Sequence, residues 1–140
     1  MKRYEFFPHT ADVKFKAYGG TMEEAFSNAA LALTKIMVEP DNVGAETEEM
    51  IEVESEDEKA LLYDFLERFL VLFEVNGFLM HSVKELEIEK EDKFRLKAIV
   101  EGDDNLSRYE PETHIKAITY QEMEVFEKDG KWLVQVVPDI

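Results

Sequence analysis

The sequence predicts an α+β fold in which two helices pack on a largely antiparallel mixed sheet, in a single domain over residues 1–140. Apolar residues recur at helical spacing in only two segments, and most of the remaining chain alternates apolar and polar residues as strands do. The pair Asp129-Gly130 separates two such runs, which is a strong signal for an antiparallel hairpin. With 45% hydrophobic residues in 140, the chain can bury a sizeable core.

The first quarter of the chain predicts two strands and a helix. We expect strands over 3–8 and 12–18, the second alternating apolar residues with lysines. Thr21 and Glu24 have the spacing of a capping box, and the helix should end before Pro40. Its buried face should carry Ala25, Phe26, Ala29, Ala30, Leu33 and Met37.

A further strand and the second helix follow. The strand is expected over 48–54, and Ser55 to Glu58 repeats the capping-box pattern. Asn76-Gly77 should end the helix in a left-handed conformation. The helix is apolar over more than one stripe, so we expect burial on two sides, through Leu61, Leu62, Phe65, Leu66, Phe69, Leu70, Leu72 and Phe73.

The rest of the chain is strand-like. Strands are predicted over 78–90, 93–101, 117–127 and 131–137. A loop should begin at Gly102-Asp103-Asp104-Asn105 and continue past Pro111.

Composition restricts the classes of function. The net charge of −16, from 32 acidic and 16 basic residues, repels phosphate backbones, so we expect no strong direct binding to nucleic acid. A basic protein partner fits better, although the charge could serve solubility alone. The absence of cysteine, of a signal-peptide pattern after Met1 and of an apolar run of roughly 20 residues predicts a cytoplasmic protein away from membranes.

Motifs for self-contained catalysis are missing. The sequence has no phosphate-binding glycine loop, nucleophile elbow or H-E-x-x-H zinc motif. We therefore predict no catalytic residue.

Each end of the chain carries a carboxylate motif, His9-Thr10-Ala11-Asp12 and Pro138-Asp139-Ile140. Asp12 and Asp139 lie at the edges of strand-like runs, and Ile140 adds its α-carboxylate. If the ends meet, repulsion among these anions would be relieved by a proton or a hard cation. Oxygen donors favour Ca²⁺ or Mg²⁺ over zinc. The alternative is that Asp12 is an ordinary turn or solvent-facing residue.

Four other residues are candidates for function or partner contact: His9, Thr10, Lys116 and His114. His9 could orient Asp12 or contact a phosphate. The alternative for His9 is a hydrogen-bonded surface residue, and for His114 a solvated loop residue. The alternative for Lys116 is a side chain whose stem packs on the protein while its charge stays in water.

Several separated segments resemble the archease family from the first strand to the last residue. They are His9-Thr10-Ala11-Asp12, Ala17-Tyr18-Gly19, Glu24-Ala25-Phe26-Ser27-Asn28-Ala29-Ala30, Ile115-Lys116-Ala117-Ile118-Thr119-Tyr120, Trp132 and Pro138-Asp139-Ile140.

The resemblance implies a protein cofactor of the GTP-dependent, RtcB-type tRNA-splicing RNA ligase, which promotes ligase guanylylation and multiple turnover and can broaden the nucleotides used. It also implies a divalent metal site, with calcium first and magnesium or manganese possible, whose ligands correspond to Asp12, Asp139 and the Ile140 carboxylate. A chaperone-like role toward a tRNA cytosine methyltransferase is the implied alternative.

The chain departs from the family pattern at two places. Gln121 stands where many members have His, so no role is transferred to it. The loop from Gly102 to His114 carries Arg108-Tyr109 where an Arg-His pair is expected in some relatives, so a functional role is assigned to His114 less firmly than to Asp12 or Asp139.

A hydrolase that uses the carboxylates with a metal is a third hypothesis for the function.

Overall fold

The computed structural model describes residues 2–9 and 12–140, and within them the chain forms seven strands and two helices. The elements are β1 (Tyr4–His9), β2 (Asp12–Gly19), α1 (Met22–Met37), β3 (Thr47–Ser55), α2 (Glu58–Asn76), β4 (Leu79–Lys90), β5 (Phe94–Asp103), β6 (Glu124–Lys128) and β7 (Lys131–Val136). The predicted α+β class is confirmed.

The strands divide into two sheets rather than one. The first has the order β1-β2-β7-β6 and the second has the order β3-β5-β4, and every registered strand pair is antiparallel. The core lies between the sheets and the helices, where α1 contacts β2 and β4 and α2 packs on β3. Neither helix in the described part of the chain has the length and apolarity needed to cross a membrane.

Helix α1 begins and ends where the sequence predicts. The Thr21 hydroxyl accepts from the Glu24 N–H at 3.1 Å, and Glu24 reaches back to the Gly20 N–H at 3.4 Å. The helix ends before Pro40. All six residues predicted for its inner face are buried, as expected for a stripe at helical spacing.

On helix α2, seven of the eight residues predicted to be buried are buried, and Phe73 is partly buried. The predicted cap of this helix is wrong. Asp57 is the N-cap and accepts from the Ala60 N–H at 2.8 Å. Ser55 cannot cap because it is still paired with Phe94 in the sheet, and its hydroxyl donates to Asp64 at 2.6 Å. Gly77 ends the helix at a φ of 67°, as predicted.

Two predicted boundaries in the last third are corrected. Gly102 and Asp103 belong to β5, because both pair with β4, so the loop begins only at residue 104. The strand expected over 117–127 is reduced to β6, and Ala117 makes an isolated bridge to Asp139. A turn with Glu122 at a φ of 52° interrupts the segment, since a residue in this conformation cannot continue a strand.

Gly102 in β5 has no room for a side chain. A Cβ at this position would lie 2.0 Å from the carbonyl oxygen of Leu79 and 2.7 Å from the ring of Phe78. Both neighbours are buried, so neither can move aside without disturbing the core.

We predict that Gly102→Ala lowers the free energy of unfolding by about 3 kcal/mol, because overpacking forces strand β5 away from β4. Urea unfolding measures the change. Gly20→Ala is the matched control, because nothing lies within 4 Å of a Cβ there. Equal stabilities of the two variants would contradict the assigned packing.

Candidate functional site

Strand β2 lies between β1 and β7, and this position brings the two ends of the chain together. Against β1, Asp12 pairs with His9. Against β7, Phe15 pairs with Val136, where the registered pairing ends. Beyond this pair, Asp139 bridges Ala117 instead of β2. Because β2 and β7 are antiparallel, the start of β2 and the end of β7 lie at the same end of the first sheet, which brings the two carboxylate motifs to that end.

The last residues of the chain are fixed by a second contact, with the segment 115–119. The Lys116 N–H donates to the Asp139 carbonyl at 2.8 Å, and the Asp139 N–H donates to the Ala117 carbonyl at 2.9 Å. The Thr119 hydroxyl donates to the Val137 carbonyl at 2.7 Å. Ile140 packs partly against the core, whereas Asp139 is exposed. The backbone of Asp139 is thus held while its carboxylate faces solvent.

His9 lies between two acidic side chains. Its Nε2 lies 2.5 Å from Glu122 Oε2, and its Nδ1 lies 4.0 Å from Asp12 Oδ2, which is too long for a hydrogen bond. The Nδ1 atom is buried and has no hydrogen-bond partner among residues 2–9 and 12–140. The imidazole is therefore fixed by Glu122 beside Asp12.

Glu122 is a residue of this site that the sequence did not reveal. Its left-handed backbone costs roughly 1–2 kcal/mol for a residue with a side chain. The Gln135 amide donates to its carbonyl at 2.8 Å, and its carboxylate reaches both His9 and, at 3.6 Å, Lys14 Nζ. The His9 hydrogen bond, followed by the Lys14 charge, lowers the pKa of Glu122 despite the opposing effect of burial.

The remaining candidates are placed differently. Thr10 lies outside the described residues. Lys116 is exposed and adjoins Asp139 through its backbone, with no ion pair recorded for it in the described part of the chain. His114 is exposed two residues earlier. The structure thus pairs His9 with Asp12 and bonds Lys116 to Asp139, and it leaves His114 without a part in either contact.

The donors at this edge suit a hard cation. Asp12, Asp139 and the Ile140 carboxylate offer oxygen only, which is what Ca²⁺ and Mg²⁺ bind. Within the described ranges, no group of three or more His, Asp or Glu side chains is arranged to hold a metal. A third protein ligand would therefore have to be the α-carboxylate or a backbone oxygen, with water completing the coordination shell.

The fold and the site define a small α+β protein with two antiparallel sheets, in which the start of β2 and the end of β7 lie at the same end of the first sheet. Residues 4–140 match the model of the Archease protein family (MTH1598/TM1083). The chain is 42% identical to Protein archease of Pyrococcus abyssi and 44% identical to that of Thermococcus kodakarensis, each over 100% of both chains.

Two solved structures share the fold. The solution structure of Methanobacterium thermoautotrophicum protein 1598 has a TM-score of 0.86 and 35% identity, with 100% of both chains covered. A Thermotoga maritima archease, titled a possible chaperone, has a TM-score of 0.62 and 21% identity over 96% of this chain and 94% of its own. The chain belongs to the archease family.

We predict that Glu122→Gln destabilises the protein at neutral pH but not in acid. The carboxylate has a lowered pKa in the folded state, so its contribution is present above the usual value of 4.5 and is lost as pH falls through the folded pKa. Unfolding free energies of wild type and variant should differ at pH 7 and converge near the acid limit.

Glu124→Gln is the matched control, because Glu124 is exposed on the neighbouring strand. Its effect should not vary with pH in this way. A Glu122→Gln effect that is equal at all pH values would show that the His9 and Lys14 contacts do not stabilise the folded state.

Proposed function

We propose that this protein is a non-catalytic activator of a GTP-dependent, RtcB-type tRNA-splicing RNA ligase, and that it promotes ligase guanylylation and multiple turnover. Membership of the archease family over residues 4–140 supports this type of protein, an activator without catalytic activity of its own. The observation that supports the proposal is the antiparallel pairing of β2 with β7, which brings Asp12 and the chain end to the same end of the first sheet, where Lys116 bonds to Asp139.

In this proposal Asp12, Asp139 and the Ile140 carboxylate hold a divalent cation, calcium first and magnesium or manganese as alternatives. When bound, such an ion neutralises phosphate charge during guanylyl transfer. The protein's own residues position the ligands. The backbone of 116–117 fixes Asp139, and Glu122 holds His9 beside Asp12.

Lys116 adds a mobile positive charge next to the acidic edge. A lysine ammonium on a flexible stem can follow a phosphate without fixed geometry. Because its backbone N–H is bound to Asp139, the side chain is tethered near the proposed cation. It is therefore a basic residue that could meet a nucleotide held by the partner.

The charge of the protein supports a protein partner instead of RNA. A net charge of −16 repels nucleic acid but complements a ligase whose surface is basic enough to hold RNA. The lack of cysteine fits the reducing cytoplasm, where we place this activity.

A chaperone-like role toward a tRNA cytosine methyltransferase is the second candidate. The Thermotoga maritima archease is described as a possible chaperone, which supports this second candidate. A role of this kind works through surface contacts alone, so it should survive chelators and changes at the carboxylate edge.

We predict that Asp12→Asn reduces multiple-turnover ligation by roughly 10–100-fold when the protein is substoichiometric to the ligase, because one cation ligand is lost. Product formed per ligase molecule is the measurement. Asp129→Asn is the matched control, because it makes the same charge change at a hairpin tip where Asn tolerates the left-handed φ of 54°.

A second arm appends one glycine after Ile140, which moves the α-carboxylate away from Asp12 and Asp139. It should weaken Ca²⁺ binding in calorimetry and reduce stimulation in parallel. Full stimulation by Asp12→Asn under chelation would favour the chaperone-like role. Phosphate release from GTP by the protein alone would instead favour a hydrolase.

A further inference from the structure

A partly buried tyrosine and an exposed one stack next to the segment that holds the chain end. The rings of Tyr120 and Tyr63 stack with centroids 4.5 Å apart and planes 11° from parallel. Tyr120 nevertheless remains 54% exposed. Tyr63, on α2, fixes the ring from one side, so the exposed aromatic surface is already ordered before any partner arrives.

Three carboxylates act on Tyr120. Asp57, Asp64 and Glu67 lie on α2 or at its start, on a helix that also carries Lys59 and Arg68. Burial, followed by the charges of Asp64 and Asp57, raises the pKa of Tyr120. Asp64 is held in place by the Ser55 hydroxyl at 2.6 Å. The exposed ring therefore lies in a negative field, part of which comes from an oriented carboxylate.

This combination selects the chemistry of the ligand. A tyrosine face attracts cations, and neighbouring carboxylates strengthen that attraction while repelling phosphates. A guanidinium is planar and weakly hydrated, so it can stack on the ring while its N–H groups donate to a carboxylate. A lysine ammonium is more strongly hydrated and has no flat face.

We propose that the Tyr63–Tyr120 pair is the docking site for an arginine side chain of a basic partner protein. Tyrosine and arginine are the residues that most often dominate binding energy at interfaces. A second copy of this chain is a poor occupant, because two molecules of charge −16 repel each other.

The tyrosine pair lies close in the chain to the residues that contact Asp139. Thr119, next to Tyr120, binds the Val137 carbonyl, and Lys116 in the same segment binds Asp139. An arginine seated on Tyr120 therefore fixes the partner close to the proposed cation ligands. The inference rests on the proposed function only for the identity of the partner as the ligase.

The first test uses the free protein and needs no ligase. A short peptide with two arginines is titrated against the protein and followed by the NMR signals of the tyrosine rings. The expected result is a saturable shift of the Tyr63 and Tyr120 signals. The same peptide with lysine in place of each arginine should bind at least threefold more weakly. Equal shifts with a citrulline peptide, or no saturation, would overturn the proposal.

The second test measures binding to the ligase by calorimetry. Tyr120→Leu should weaken binding about tenfold or more, whereas Tyr120→Phe keeps the ring and should bind within about threefold of wild type. Phe126→Leu is the matched aromatic control, because Phe126 is 40% exposed on β6.

Charge is tested separately. Glu67→Gln should weaken binding several-fold more than Glu85→Gln, which removes the same charge from β4. If wild type binds the ligase and Tyr120→Leu binds equally well, the arginine site is wrong while the proposed function stands. If wild type does not bind the ligase but the arginine peptide shifts the tyrosines, the proposed function fails and the site stands.

Discussion

The antiparallel pairing of β2 with both β1 and β7 is the constraint on which the candidate site depends. Pairing with β1 places His9 beside Asp12, and antiparallel pairing with β7 brings the end of the chain to the same end of the sheet. A slip of one residue would turn the Asp12 side chain to the opposite face of the sheet. The buried Phe15, Val134 and Val136 prevent that slip, because they must stay in the core. The hydrophobic core thus determines where the carboxylates lie.

Two further contacts convert this placement into an ordered site. The segment 115–119 holds the backbone of the final residues, which leaves the Asp139 carboxylate exposed. Glu122 holds His9, at the expense of a left-handed backbone. Strain of this kind persists only where surrounding contacts compensate for it. The segment 115–123 therefore contacts both features: Lys116 and Ala117 bond to Asp139, Glu122 contacts His9, and Tyr120 stacks on Tyr63.

Local patterns predicted most of the fold. The Thr21 cap, the Gly77 stop and the Asp129-Gly130 hairpin depend on neighbouring residues, so they could be seen in the sequence. The split into two sheets could not, because it depends on which distant strands pair. Asp12 and Asp139 could be nominated from charge repulsion and family resemblance. Glu122 could not, because its role depends on a tertiary contact with His9 and on a backbone conformation that glutamate rarely adopts.

The central claim is that the chain ends form one cation site on a protein with 32 acidic residues. Titration with Mn²⁺ tests it most directly, because the paramagnetic ion broadens the NMR signals of nearby amides. The account predicts saturable broadening centred on Asp12, Ala117 and Asp139, reversed by Ca²⁺. Broadening centred on the glutamates of the second sheet, such as Glu52 and Glu87, would contradict it.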